Sequence, residues 1–172
     1  VGLTYTIDNE NSIYASYARA NREPNRSDFE NSENVKPETL NDFELGWRLK
    51  NNTLQLSTNL YYMIYDNQLI QTGGLNDVGE YLRQNVKDSY RLGLEIDANI
   101  KVSEKLNINQ NVTISSNKIE NFILDRDGAQ RNIGTTNIAF SPNIIAGNTL
   151  SYNITESFQV SLLSKFVGEQ YL

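Results

Sequence analysis

Glu95 and Asp97 lie two residues apart in Arg-Leu-Gly-Leu-Glu-Ile-Asp-Ala, so an extended chain presents both carboxylates on one face. Two carboxylates are the minimum equipment of a glycoside hydrolase. Arg91 and Lys101 share that face, and Glu44 shares another with Arg48. Charges of both signs along one wall also read as a solvated network, and that is the simpler use of Glu44, Arg48, Arg91, Glu95, Asp97 and Lys101. A second group, Arg19, Arg22 and Arg26 with Tyr17 and Phe29, surrounds a polar stretch at 20–37. Guanidinium groups give planar, multi-donor recognition of carboxylate, catecholate or hydroxamate oxygens, and aromatic rings give flat apolar contact. These five are the candidate ligand-binding residues. Lipopolysaccharide phosphates or neighbouring loops are the competing partners for the same arginines. Asp125-Arg126-Asp127-Gly128 lacks the spacing of a calcium-binding EF-hand loop and reads as a hairpin turn.

Composition limits the remaining chemistry. The 172 residues contain no His and no Cys. Imidazole bases, Ser-His-Asp triads, thiolate nucleophiles and His or Cys metal sites are therefore absent from this chain. No catalytic residue, metal site or cofactor is assigned. Fifteen Lys and Arg against 21 Asp and Glu leave a net charge of -6, the wrong sign for a nucleic-acid partner. A mean hydropathy of -0.52 and apolar runs of six residues or fewer exclude a helical membrane span. They leave a transmembrane barrel open, because only alternate residues of its strands face lipid.

The elements that must carry these residues read as strands. Leu54, Leu56, Thr58, Leu60, Tyr62 and Ile64 alternate with Gln55, Ser57, Asn59, Tyr61, Met63 and Tyr65. Leu92, Leu94, Ile96, Ala98, Ile100 and Val102 alternate with Arg91, Gly93, Glu95, Asp97, Asn99 and Lys101. A helix through the same residues would bury charge on its apolar stripe. Period two predicts eight strands in all. Residues 138–152 form the seventh, with Ile138, Phe140 and Ile144 on its apolar face and a bend at Pro142. Long strands with one apolar and one polar face fit a barrel with a wet interior. Tight turns near 8–11, 50–53, 103–105 and 153–156 alternate with long polar stretches near 20–37, 67–85 and 118–134. Outer-membrane barrels have this asymmetry. The first connection is a short turn, so strand one descends from outside and its preceding neighbour is missing. Val1 in place of an initiator Met points the same way, to an excised segment.

Lys36-Pro37-Glu38, followed by Phe43-Glu44-Leu45-Gly46-Trp47, resembles a recurrent stretch of TonB-dependent outer-membrane receptors. Tyr14-Ala15-Ser16-Tyr17-Ala18-Arg19 and Ser141-Pro142-Asn143 are similar to other strand ends of that family. The Asn- and Tyr-rich flavour resembles receptors of the Bacteroidota, with 24 Asn and ten Tyr. The resemblance implies an all-β fold, an antiparallel up-and-down transmembrane segment of about eight strands from a 22-stranded barrel. Residues 1–172 would be a partial barrel domain, without plug domain, TonB box or closing strand. It implies import of a scarce nutrient, a ferric siderophore first among them, and no enzymatic activity. The implied partners are outer-membrane lipid, the plug domain and remaining strands of the parent chain, TonB, and the iron-siderophore ligand. The implied location is the outer membrane of a Gram-negative bacterium. Two other classes remain, a self-contained eight-stranded structural or adhesion barrel and a soluble carbohydrate-active domain built on Glu95 and Asp97.

Overall fold

The computed structural model describes every residue except 32–33, 76–77, 127–128 and 172. Its strands are β1 (Gly2–Thr6), β2 (Asn11–Arg22), β3 (Glu38–Lys50), β4 (Leu54–Leu75), β5 (Tyr81–Lys101) and β6 (Leu106–Glu120). They continue as β7 (Ile123–Arg126), β8 (Ala129–Asn132), β9 (Thr136–Asn137), β10 (Ile144–Thr155) and β11 (Phe158–Val167). One short helix, α1 (Arg26–Asn31), interrupts them. The main sheet runs β1-β2-β3-β4-β5-β6-β10-β11, every pair antiparallel, and β1 and β11 do not meet. The eight long strands expected from periodicity are these eight. No described helix is long and apolar enough to cross a membrane.

Register carries each face across the sheet. Ala15, Leu45, Leu60, Leu94, Ile114 and Ile144 are successive Cα partners on the apolar face. On the other face the corresponding row is Tyr14, Gly46, Asn59, Glu95, Thr113 and Ile145. Above the apolar rows, Tyr17 stacks on Phe43 with ring centroids 5.0 Å apart, and Tyr62 meets Tyr90 edge-on at 6.0 Å. Aromatic rings at this height form the girdle of a membrane barrel.

Two departures from the expected strands have local causes. The stretch 67–85 is not a loop: β4 and β5 run 22 and 21 residues and remain paired from Gln68↔Val86 to Gln71↔Arg83. Crossing a bilayer needs about 9–11 tilted residues, so the hairpin extends well past the girdle. Asn67, with φ 55°, is the hinge of that extension. Asn tolerates the left-handed backbone better than most residues. The register is the same on both sides of Asn67, Asp66↔Asp88 and Gln68↔Val86, but Gln68 accepts from Ser89 Oγ at 2.6 Å, on the polar-face side. Apolar Ile70 and Val86 meet Ile119 and Ile138, with Phe122 beside them, in a small core above the girdle. Residues 138–143 are the second departure. They are not strand; β10 begins at Ile144, and Ile138 is buried in that small core. Pro142 lacks an N–H for the ladder, and Phe140 has φ 54°, so the ladder starts only beyond them.

Three glycines lie under cross-strand side chains on the polar face. A Cβ at Gly46 would sit 2.1 Å from Tyr14 Cε1, and one at Gly93 would sit 2.4 Å from Tyr61 Cζ. At Gly147 it would meet Asn111 Oδ1 at 2.8 Å. Each glycine is the register partner of the side chain that covers it. Gly46→Ala should therefore destabilise the folded barrel by about 1–3 kcal/mol, read as a lower urea midpoint in detergent, because Tyr14 must leave its seat. Adding Tyr14→Ser should recover most of the loss; a double variant no better than Gly46→Ala would refute the seating.

Asp8 shapes the first tight turn. Its carboxylate accepts hydrogen bonds from the Asn11 side chain and from the backbone N–H groups of Glu10 and Asn11, all within 3.0 Å. The Asn11 amide, and then the Glu10 backbone, hold it below the usual carboxylate value near 3.8. A depressed folded-state value stabilises the turn above pH 3.8, and the benefit disappears as pH falls through the folded value. Asp8→Asn should lower stability at pH 7, and the difference from the parent should vanish as pH falls through the depressed Asp8 value in paired urea titrations.

Candidate functional site

The polar face is organised around the seated rings. Tyr14 donates its hydroxyl to Asn59 Oδ1 at 3.0 Å, and the Arg48 guanidinium lies 4.5 Å above its ring. Glu44 accepts from Ser16 Oγ at 3.0 Å and from Asn59 Nδ2 at 3.4 Å. Asn59 thus stands between Glu44 and its own register partner Glu95. Asp42, two residues before Glu44, has a buried Oδ1 without a hydrogen-bond partner among the described residues. Higher on the wall, Arg91 Nη1 donates to Ser141 Oγ at 2.9 Å and to Asn117 Oδ1 at 3.4 Å. A cavity of about 330 Å³ is lined by Glu44, Asn59, Tyr61, Arg91, Glu95 and Phe140, among others.

The six charges expected to form a network share this face but are not ion-paired with one another among the described residues. Arg48 uses a ring, Arg91 uses neutral oxygens, and Glu44 uses neutral donors. Asp97 is paired in register with Ser57 and Asn111, outside the cavity that Glu95 lines. Lys101 ends β5 at the turn.

The structure separates the five candidate ligand residues. Tyr17 packs on Phe43 in the girdle and donates to Asn41 Oδ1 at 2.9 Å, on the apolar side. Arg19 follows it on that face, while Arg22 ends β2 opposite Glu38. Arg26 bridges Glu30 at 2.7 Å within α1, and Phe29 is exposed. The loop holding α1 is tied to the β4–β5 extension. Asp28, buried, pairs with Arg83 at 3.4 Å. Lys36 and Asn85 exchange two hydrogen bonds, 2.8 and 3.0 Å, and Glu38 Oε2 accepts from the Leu69 N–H at 2.8 Å. Part of the Asp125–Gly128 turn lies outside the described residues. Sequence reading overlooked Asp42, Asn59, Asn117 and Ser141. Alternation alone places Asp42 beside Glu44, whereas Ser141 is found only through the irregular backbone at 138–143.

A face of polar side chains laid flat, backed by an apolar face with an aromatic girdle, is one wall of a membrane barrel. A family model described as TonB dependent receptor-like, beta-barrel, matches residues 1–171. The chain belongs to that family. No curated protein sequence matches it. Among solved structures, the siderophore receptor PiuA of Acinetobacter baumannii superposes with TM-score 0.74 at 21% identity, over 99% of this chain and 26% of that one. The ferric yersiniabactin uptake receptor FyuA of Yersinia pestis gives 0.70 at 16%, over 99% and 25%. The copper transporter OprC gives 0.73 at 16%, over 96% and 25%. This TonB-receptor chain spans about a quarter of those structures, and the open sheet is the corresponding barrel segment. In a membrane barrel the polar face lines the lumen and the apolar face meets lipid.

Removing Arg83 leaves Asp28 buried with its local Asn25 contacts and no cation. Arg83→Met should therefore loosen the 23–37 segment, giving at least severalfold faster tryptic cleavage after Arg26 in the folded receptor. Unchanged cleavage would show that the Lys36–Asn85 pair holds the segment alone.

Proposed function

We propose that this barrel segment belongs to a receptor that imports a ferric siderophore across the outer membrane of a Gram-negative bacterium. The observation that carries the reading is the family match across the lumen wall, together with siderophore receptors among the structural neighbours. On this reading the chain transports and does not catalyse. A plug domain and the other strands of the parent barrel complete the lumen, and TonB drives release through the plug.

The wall supports a specific contact with that plug. On this reading Asp42, Glu44 and Glu95 face the lumen; among the described residues no cation pairs with any of them, and the buried Asp42 Oδ1 has no hydrogen-bond partner. A buried carboxylate oxygen left unpaired is costly, so basic side chains on the plug are the fitting partners. Arg19 and Arg26, turned to the outer rim, suit lipopolysaccharide phosphates, while Arg22 remains available to the ligand with Phe29. A Bacteroidota source accompanies the reading through the Asn- and Tyr-rich composition alone.

An antibody raised against this segment should detect, in outer-membrane fractions, a heat-modifiable band several times heavier than 19.6 kDa. Deletion of the gene should abolish uptake of at least one radiolabelled ferric siderophore under iron limitation. A soluble 19.6 kDa band would end the receptor reading. Intact uptake of every ferric siderophore offered, with loss of another nutrient, would move it to a different cargo.

A further inference from the structure

Arg91 differs from the other arginines whose contacts are defined. Arg26 and Arg83 each meet a carboxylate, and Arg48 lies on a ring. Arg91 is half-buried on the lumen wall and bonded to neutral oxygens, Ser141 Oγ and Asn117 Oδ1. No carboxylate among the described residues lies within 4.0 Å of its charge. A partly desolvated guanidinium satisfied by neutral acceptors gains more from an anionic oxygen than from the hydroxyl it holds.

The hydroxyl it holds belongs to a strap. Residues 138–143 are the irregular stretch between β9, which pairs with β6 through Lys118↔Asn137 and Ile119↔Thr136, and β10, which pairs with β6 from Ile144↔Ile114 onward. Its Ile138 side chain is held in the small core; of its backbone, the Ile138 N–H donates to Asn117 O at 3.1 Å, and the Phe140 N–H to Tyr171 O at 2.9 Å. Ser115 Oγ donates to Pro142 O at 3.3 Å, and the Ser115 N–H to Asn143 O at 2.8 Å. Phe140 sits in the left-handed region, at φ 54°. An aromatic residue there stores strain that surrounding contacts must hold. The Arg91–Ser141 bond is one of those contacts.

Arg91 and Phe140 also line two neighbouring spaces. The larger cavity, about 330 Å³, contains Glu44 and Glu95. The smaller, about 170 Å³, lies towards the extended hairpin, where Gln68, Leu69, Ile70, Gln71, Ile138 and Ala139 complete a lining free of carboxylates. Of all the lining residues, Arg91 and Phe140 alone are common to both. An anion meets a neutral lining in the smaller space and acidic walls in the larger one.

We propose that Arg91 is an anion-sensing site for a carboxylate-bearing cargo, and that the carboxylate displaces Ser141 and frees the Phe140 strap that lines both cavities. The proposal rests on the import reading above and names the cargo chemistry at one point of the wall. Ser141 acts as an internal stand-in for the ligand, and its loss of Arg91 is the event that couples arrival to opening. Because Ser141 competes with the ligand for the same guanidinium, removing its hydroxyl strengthens ligand binding.

Hydrogen–deuterium exchange on the full-length receptor in detergent tests this, with citrate as the carboxylate probe and peptides covering 136–143 as the readout. In the wild type, saturating citrate should speed exchange of the Ile138 and Phe140 amides at least severalfold. Ser141→Ala should show fast exchange without citrate and bind citrate roughly tenfold more tightly, since a bond to a charged group has been removed from the competition. Arg91→Gln, checked for heat-modifiable folding, should show fast exchange that citrate no longer changes. Wild-type amides unmoved by citrate, weaker citrate binding by Ser141→Ala, or a citrate response surviving in folded Arg91→Gln would each overturn the switch. Uptake of ferric siderophore is measured alongside. Uptake with an unresponsive strap removes the switch and leaves the import reading, whereas a responsive strap with no siderophore uptake removes the cargo assignment instead.

Discussion

A chain that crosses hydrocarbon must pair its backbone N–H and C=O groups within the protein, and the antiparallel ladder is how this chain meets that demand. Eight strands exchange hydrogen bonds in one continuous order, with register held from β2 to β6 and on through β10 to β11. Where the ladder is regular, each residue takes the polar or the apolar face by parity. Polar rows and apolar rows then follow from alternation, and the aromatic pairs Tyr17–Phe43 and Tyr62–Tyr90 mark the upper boundary of the apolar rows.

Parity alone would fill the lumen with upright side chains. The glycine seats prevent this on the wall seen here. Tyr14 and Tyr61 lie down over Gly46 and Gly93, which keeps large rings inside the barrel without projecting them into its bore. The same seats deliver polar tips where they are useful: Tyr14 reaches Asn59, and Asn59 reaches Glu44. The Glu-x-Gly pattern is therefore a joint specification. The glutamate supplies lumen charge, and the glycine makes room for the tyrosine on the preceding strand.

Above the girdle a different constraint applies, because water surrounds both faces of the hairpin and an apolar face is no longer required. Beyond Asn67 the pairing keeps its register, and Ile70 and Val86 come together with Ile119 and Ile138. The resulting core stiffens the extension, and the α1 loop is fastened to it by Asp28–Arg83 and Lys36–Asn85. Within the braced loop Arg26 is exposed and pairs with Glu30, whereas Arg91 is half-buried on the polar wall.

Alternation in the sequence determined the strands, their two faces, the tight turns and the placement of Glu44, Arg48, Arg91, Glu95, Asp97 and Lys101 on one wall. These are consequences of period two, a local property that each strand carries by itself. Alternation could not place Gln68 on the polar-face side, because a single left-handed residue such as Asn67 leaves composition unchanged. It also extended the seventh strand back through Phe140, where Pro142 and a positive φ stop the ladder. Tertiary structure alone decided which side chains touch: that Tyr14 covers Gly46, that Tyr17 belongs to the girdle and not beside Arg26, and that Arg91 holds Ser141 from 50 residues away. Contacts of that kind depend on register between strands, and register is a property of the assembled ladder that no single strand contains.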